Sequence, residues 1–151
     1  RVGMVLGEGD YAAAALSSRA GRAFNVAWRA SSLEQPIYAG DLADATVHRL
    51  AVPAPGIHDI AGPESMPRAE LIQRAAHVRG RRTRVVSLPI GLALALADVL
   101  EKVLTVPPVS RAMLEVLDHD DDVDPVRSEA ALGVPLTSVS ALLERVIAPS
   151  R

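Results

Sequence analysis

In the first part of the chain, apolar and polar residues follow strand-like and helix-like patterns in turn. Residues 2–6 form a short β-branched and apolar run that ends at a glycine-containing turn, which predicts a buried strand. Residues 11–20 predict a helix, and residues 24–28 alternate apolar with polar side chains as a strand does. Residues 35–38 predict another extended piece, because a residue that precedes proline avoids helical geometry. Strands and helices therefore alternate, which indicates an α/β fold.

A second helical pattern begins at Asp41. Its carboxylate is expected to accept hydrogen bonds from the free amides of the first turn, so Asp41 is the predicted N-cap, and Pro53 is expected to end the helix. Residues 57–61 then predict a strand, which the Gly-Pro-Glu turn at residues 62–64 interrupts.

The rest of the chain is dominated by helical patterns. Pro67 is expected in the first turn of a helix whose apolar positions share one face. The predicted elements are helices at residues 68–78, 89–104, 110–117, 124–133 and 137–148, and one strand at residues 84–88. At 151 residues the chain has the length of one domain, so we predict a single domain with a helix-rich carboxyl-terminal part.

Composition and charge narrow the class of protein. Apolar residues make up 49% and charged residues 23% of the chain, a balance that predicts a packed core. The formal net charge of -2 offers no field that would attract nucleic acid or an anionic membrane, so neither is an expected partner. The longest apolar run, residues 88–97, is much shorter than the roughly 20 residues of a membrane span. The absence of cysteine excludes disulfides and thiolate chemistry and favours a cytoplasmic location.

Residues 7–12 have the spacing Gly-x-Gly-x-x-Ala between a predicted strand and a predicted helix, which matches the turn of dinucleotide-binding proteins. Asp10 argues against this function, because its carboxylate would stand where the anionic pyrophosphate docks. The strand at residues 24–28 also lacks an acidic residue at its end for a ribose hydroxyl, although Arg29 could accept a 2′-phosphate. We interpret the turn as an ordinary connection capped by Asp10, with dinucleotide binding as the alternative.

Four acidic residues have the oxygen-ligand spacing of a calcium-binding helix-loop-helix: Asp118, Asp120, Asp122 and Glu129. The sixth position of such a loop needs a left-handed backbone, which glycine adopts easily. Val123 occupies that position here, and a β-branched residue is poorly suited to it. We interpret the segment as a solvated acidic connector, with calcium binding as the alternative.

Neither the basic run nor the histidines indicate a binding site. Residues 79–84 carry four arginines but no aromatic side chain for base stacking, so we interpret them as a solvated turn at a helix carboxyl terminus. Phosphate or nucleic-acid binding is the alternative for this segment. The histidines never fall three or four residues apart, as a helical metal site requires: His48, His58, His77 and His119.

The order of four sequence segments resembles a known protein family. RVGMVLGEGD is followed by QPIYAGDLADA, then by HDIAGPESMPRAELIQRAAHVRGR, and finally by RVVSLP, which opens an apolar helix. This order resembles the carboxyl-terminal half of extended and atypical short-chain dehydrogenases, in the NAD-dependent epimerase/dehydratase-like group. The nearest likeness is to the branch that includes the nucleotide-binding accessory subunit of respiratory complex I. The resemblance covers nearly the whole chain.

The resemblance implies a single incomplete domain over residues 1–151. Residues 1–62 would be the late strands and helices of a Rossmann-like doubly wound sheet, and residues 63–151 a mainly helical subdomain on the substrate side. NAD or NADP would be bound mainly by a missing amino-terminal half. That half, or another chain, would cover the exposed sheet, and the isolated chain is expected to aggregate.

The resemblance also assigns positions near the cofactor and the substrate. The residues on the cofactor side are Arg1, Met4, Val5 and Gly7, and those on the substrate side are Gln35 and Tyr38. The sugar-nucleotide branch tends to have arginine where this chain has Gln35, which argues against a nucleotide-sugar substrate. The expected partner is therefore a small-molecule substrate of another kind.

The sequence lacks the catalytic Tyr-x-x-x-Lys of this family. Tyr11 is followed four residues on by alanine and Tyr38 by leucine, and the single lysine, Lys102, lies in an apolar helix. We therefore predict no catalytic residue and no metal ligand, and we expect the chain alone to be inactive. The parent protein is predicted to be an NAD(P)-dependent oxidoreductase or epimerase.

Two alternatives remain open. A non-catalytic NAD(P)-binding accessory or assembly protein would bind the nucleotide for structural reasons, and a Tyr-x-x-x-Lys in the missing half would argue against it. A partner-binding module would use the apolar helix at residues 89–104, because half of a fold leaves hydrophobic surface that a partner must cover.

Overall fold

The computed structural model describes residues 2–53, 55–103 and 120–147. Arg1, assigned to the cofactor side, and the predicted helix at residues 110–117 lie outside the described residues. Within the described ranges, no helix is long and apolar enough to cross a membrane.

The described residues form an α/β fold, as the sequence predicts. The strands are β1 Val5–Leu6, β2 Phe24–Trp28, β3 Leu33–Glu34, β4 Ile37–Tyr38, β5 Met66–Pro67 and β6 Arg84–Leu88. The helices are α1 Tyr11–Ala20, α2 Ala39–Ala51, α3 Arg68–Val78, α4 Ile90–Val103, α5 Pro125–Leu132 and α6 Val139–Ile147. The predictions for α1, β2, α3 and β6 are confirmed within one residue, because each of these segments has a clear local period.

The strands form three two-stranded sheets. β1 pairs with β4 and β2 pairs with β6, both in parallel, whereas β3 and β5 are antiparallel. Parallel neighbours need a crossover connection, and helices supply it here. The β2–β6 pair is the longest and runs in register from Phe24 opposite Arg84 to Trp28 opposite Leu88.

The turn between β1 and α1 is held by Asp10, as predicted. Asp10 Oδ1 accepts a hydrogen bond from Ala13 N at 2.5 Å, and Oδ2 accepts one from Gly7 N at 2.6 Å. Gly9 has a φ of 78°, a left-handed backbone that suits glycine. These contacts fix the start of α1 and therefore the direction of its buried face.

The main core lies where α1, α3 and α6 pack together beside β1. α3 buries Leu71, Ile72 and Ala75, the face predicted from its apolar spacing. α6 buries Leu142 and Leu143, also as predicted. A second, smaller cluster forms around Ile37, Ala45 and Leu132, which joins β4, α2 and α5.

The prediction that Asp41 caps α2 is wrong. α2 begins at Ala39 with Tyr38 in the N-cap position, so Asp41 lies inside the first turn. The buried Asp41 carboxylate instead accepts hydrogen bonds from Thr137 N and Thr137 Oγ1, each at 2.7 Å. A carboxylate near a helix N-terminus still suits the helix dipole, and here it also ties α2 to the segment before α6.

We expect Asp41→Asn to lower the free energy of unfolding by about 1 to 2 kcal/mol, because the two hydrogen bonds with Thr137 lose the charge of the carboxylate and Thr137 Oγ1 must accept from the new amide. Urea unfolding followed by circular dichroism measures this difference. Asp44→Asn, on the exposed side of the same helix, is the matched control and should change the stability by less than about 0.5 kcal/mol. Equal losses in the two variants would contradict the assignment.

The predicted strand at residues 57–61 is also wrong. Among the described residues this segment forms a single bridge, between Val2 and Ile60, with Gly3 N donating to Ile60 O at 3.3 Å. The neighbouring amide of Ala61 donates to Ser128 Oγ at 3.1 Å instead of to a strand. Backbone groups of this segment therefore form hydrogen bonds both with Gly3 and with Ser128 of α5, so a regular strand ladder does not form.

Candidate functional site

A cavity of about 370 Å³ lies between α1, α3 and the strands β1 and β2. α1 lines it with Ala12, Ala15, Leu16 and Arg19, whose spacing of three and four residues places them on one helix face. The exposed Tyr11 at the start of α1 also borders the cavity. Because two of these side chains are alanines, the helix leaves room beside its first two turns. Arg19 stands at the carboxyl-terminal end of the same face.

The other walls of the cavity are mostly apolar. Leu6 approaches from β1 and Met4 from just before it, whereas Leu71 and Ile72 approach from α3 and Trp28 from the end of β2. Four of these five side chains are aliphatic or thioether groups without strong hydrogen-bonding atoms. The cavity therefore suits a ligand whose larger part is apolar.

One buried ion pair adds polarity to the lining. Arg68 donates from Nε to Glu34 Oε1 at 2.6 Å, and Arg68 Nη1 donates to the Trp28 carbonyl oxygen at 2.9 Å. The side chains of Arg68 and Glu34 are 12% and 9% exposed. Burial raises the pKa of the Glu34 carboxyl above its ordinary value, and the Arg68 guanidinium only partly opposes this effect. The pair is therefore costly to open, which keeps this part of the wall fixed.

The residues assigned to the cofactor side do not share one surface of the protein. Met4 lines the cavity, whereas Val5 packs against the smaller cluster around Ile37. Gly7 lies in the turn, and its amide is bonded to Asp10. Adjacent residues of a strand point to opposite faces, so Met4 and Val5 cannot meet the same ligand side by side.

Gln35 is buried and all the polar atoms of its amide are bonded to backbone groups. Gln35 Nε2 donates to Gly62 O at 2.8 Å and to Val123 O at 2.7 Å, and Gln35 Oε1 accepts from Val123 N at 2.8 Å. The side chain thereby joins the segments around residues 35, 62 and 123. A substrate contact at Gln35 stays a prediction, and the structure places this residue outside the cavity lining.

Tyr38 also lies outside the cavity lining. Its hydroxyl donates to Glu8 Oε1 at 2.7 Å, and this bond lowers the pKa of Glu8. The Arg145 guanidinium lies 5.0 Å from the centre of the Tyr38 ring, a cation–π contact. Tyr38 therefore joins the β1–α1 turn to α6, and its predicted contact with a substrate is not tested by these neighbours.

The other sequence motifs have structural partners. The Asp10 carboxylate bonds Gly7 N in the turn and Ala13 N in the first turn of α1, where a pyrophosphate would dock. Arg29 pairs with Asp120 at 2.9 Å, and Asp120 also accepts from Leu33 N at 2.9 Å. Asp118 of the candidate calcium loop lies outside the described residues, and the described part of the chain shows no group of three or more ligands suited to a metal.

Two arginines of the basic run at residues 79–84 donate hydrogen bonds to carbonyl groups at the carboxyl terminus of α1. Arg79 Nη1 donates to Ser17 O at 2.9 Å, and Arg81 Nη1 donates to Gly21 O at 3.0 Å. The sequence predicts that these arginines lie at the carboxyl terminus of α3, the helix that they follow. In the structure, Arg79 and Arg81 donate to carbonyl groups at the carboxyl terminus of α1 instead. Sequence patterns did not identify the cavity itself, because alanines at helical spacing along α1 have the same pattern in a packed face.

Comparison with known proteins shows the fold of NAD(P)-binding epimerase-type proteins. The chain is similar to human epimerase family protein SDR39U1 (isoform 2) with NADPH, at 24% identity and a TM-score of 0.71, over 99% of this chain and 48% of that one. It is also similar to RMD from Pseudomonas aeruginosa complexed with NADPH, at 12% identity and a TM-score of 0.63, over 97% and 46% of the two chains.

A third solved structure agrees with these two. UDP-N-acetylglucosamine 4-epimerase from Bacillus cereus has 12% identity and a TM-score of 0.64, over 97% of this chain and 43% of that one. No family model matches the chain, and no curated protein matches it. The chain thus spans about half the length of the solved structures that it resembles. The predicted Rossmann-like α/β fold is confirmed, and these identities establish the fold alone.

Proposed function

We propose that this chain is the substrate-side, carboxyl-terminal portion of an NAD(P)-dependent oxidoreductase or epimerase of the short-chain dehydrogenase type. The observation that carries this proposal is the likeness of nearly the whole chain to about half of proteins solved with NADPH. The cavity beside α1 would hold a small-molecule substrate. The chain would belong to a single incomplete domain of a cytoplasmic protein.

The residues of this chain do not by themselves fit the phosphates of NAD or NADP. The glycine turn before α1 has the right spacing, but the Asp10 carboxylate bonds Gly7 N and Ala13 N and brings a negative charge to the place of a pyrophosphate. The proposal therefore assigns the cofactor phosphates to a further portion of the protein. Met4, Val5, Gly7 and Arg1 would at most lie near the nicotinamide end.

A non-catalytic NAD(P)-binding accessory or assembly protein is the second candidate. It agrees with the resemblance to the branch of the complex I accessory subunit. In both candidates, a further portion or another chain would cover the apolar side chains that α2 and the following segment expose, among them Leu50 and Ile57 at 80% and 85%.

The reading frame upstream of the Arg1 codon tests the proposal. We expect it to encode a glycine-rich strand-to-helix turn and a Tyr-x-x-x-Lys, because Asp10 occupies the glycine turn of this chain and the sequence lacks the dyad. The protein encoded by that frame is expected to increase the fluorescence of NADPH on binding. NADPH binding without the dyad would favour the accessory protein. A frame with neither feature, and no NADPH binding, would overturn both candidates.

A further inference from the structure

The side chains that line the cavity carry a net positive charge. Glu34 and Arg68 form an ion pair with each other, which leaves the positive charge of Arg19 in the lining. Within the part of the chain that the structure describes, the Arg19 guanidinium makes no hydrogen bond and no ion pair, although the residue is half-buried. A cation beside a mostly apolar lining, with no partner among the described residues, favours an anionic partner from outside the chain.

The carbonyl groups at the carboxyl terminus of α1 do not need Arg19 as a hydrogen-bond donor. A cation in the last turn of a helix suits the helix dipole, so this is the simplest structural explanation for an arginine there. Three carbonyl groups at this end of α1, those of residues 17, 19 and 21, already have side-chain donors, however. Arg79 bonds Ser17 O, Arg81 bonds Gly21 O, and Asn25 Nδ2 donates to the carbonyl oxygen of residue 19 itself at 2.9 Å. The guanidinium of Arg19 is therefore available to a ligand.

The shape of the cavity sets where the rest of such a ligand would lie. Ala12 and Arg19 are seven residues apart on α1, which at the rise of a helix is about 10 Å. The space beside Ala12 and Ala15 is bounded by Leu16, Leu71 and further apolar side chains. A ligand bound to Arg19 would thus extend along α1 over an apolar surface.

We infer that the cavity binds an apolar carboxylate, with its carboxylate at Arg19 and its apolar body along α1. This inference rests on the proposed function, for which it names the class of substrate. A single arginine can bind a carboxylate with two parallel hydrogen bonds. A sugar nucleotide fits less well, because its many hydroxyl groups would face mostly apolar side chains beyond Arg19.

Octanoate is the probe for the test, and Trp28 is the reporter. Trp28 is the single tryptophan of the sequence and lines the cavity, so its fluorescence reports occupancy of this site. We expect octanoate to change that fluorescence saturably. We expect Arg19→Gln to weaken octanoate binding by about tenfold and to leave the binding of octanol, which has no charge, nearly unchanged. Arg22→Gln is the matched control, because Arg22 is exposed three residues further on.

A second pair of variants tests the place of the apolar body. Ala15→Leu fills the space beside α1 and is expected to weaken both octanoate and octanol, whereas Ala14→Leu, on the exposed side of α1, should weaken neither. Circular dichroism checks that each variant is folded. Absence of octanoate binding, equal effects of Arg19→Gln on both probes, or tighter binding of UDP than of octanoate would overturn the inference.

The proposed function is measured separately by the fluorescence of NADPH. Octanoate binding that depends on Arg19 supports the inference whether or not NADPH binds, because Trp28 reports the cavity without a cofactor. Octanoate binding without any NADPH binding by the protein would count against the proposed function alone. NADPH binding without octanoate binding would overturn the inference and leave the proposed function supported.

Discussion

Gly62→Ala is expected to lower the free energy of unfolding by about 3 to 5 kcal/mol, a large fraction of the stability of an average domain. A Cβ atom at this position would overlap the Pro36 carbonyl oxygen and lie 2.6 Å from the Pro36 carbonyl carbon. The obstacle is backbone, so no side-chain rotation relieves it. The amide of Gly62 also donates to Gln35 O at 3.2 Å, and a shift of the chain would break this bond. Urea unfolding followed by circular dichroism measures the loss.

Gly91→Ala is the matched control for this substitution. A Cβ atom at Gly91, near the start of α4, meets no neighbouring atom within 4 Å. Alanine is favoured over glycine in helices, so this variant should be neutral or more stable by up to about 1 kcal/mol. If Gly62→Ala unfolded at the same urea concentration as Gly91→Ala, the close approach of residues 36 and 62 would be wrong. Complete failure of Gly62→Ala to fold would agree with the expected clash.

The elements that could be predicted from the sequence are those with a strong local pattern. β2 alternates along Phe24–Trp28, and α3 repeats its apolar positions at helical spacing along Arg68–Val78. Asp10 was identifiable as the cap of α1 because its partner Ala13 lies only three residues away. In these cases the sequence near a residue contains both the side chain and the group that it satisfies.

The predictions that failed depended on partners far along the chain. Asp41 was expected to bond the amides beside it, but its carboxylate bonds Thr137, which lies 96 residues further on. Residues 57–61 look like a strand locally, yet Ala61 N bonds Ser128 Oγ, 67 residues away. A local pattern gives the propensity of a segment and does not show which distant group will compete for its hydrogen bonds.

The cavity was missed for a related reason. Alanines at helical spacing in α1 have the same pattern whether they pack against a neighbour or border a space, so Ala12 and Ala15 gave no distinct signal. The space depends on how α1, α3 and the end of β2 approach one another, which is a property of the tertiary packing. The resemblance assigns Met4 to the cofactor side, which stays a prediction although Met4 lines the cavity.

Gln35→Leu is expected to lower the free energy of unfolding by about 3 to 5 kcal/mol. Leucine has a similar size but no hydrogen-bonding atoms, so Val123 N, Val123 O and Gly62 O would all lose a partner in a buried site. Gln73→Leu is the matched control, because Gln73 lies on the exposed side of α3 and leucine is a good helix former. Thermal and urea unfolding of the two variants measure the difference.

Gln35→Glu separates a structural function of this amide from contact with a substrate. One carboxylate oxygen would replace Nε2 and face the carbonyl oxygens of Gly62 and Val123, which repels the charged form and raises the pKa of the new carboxyl. Protonation converts that oxygen into a donor, so part of the lost stability should return as the pH falls below the pKa in the fold. A stable Gln35→Glu variant with pH-independent unfolding and weakened octanoate binding would instead favour a substrate contact. Because all the amide's polar atoms bond backbone groups 27 and 88 residues away, we expect the loss to appear in stability.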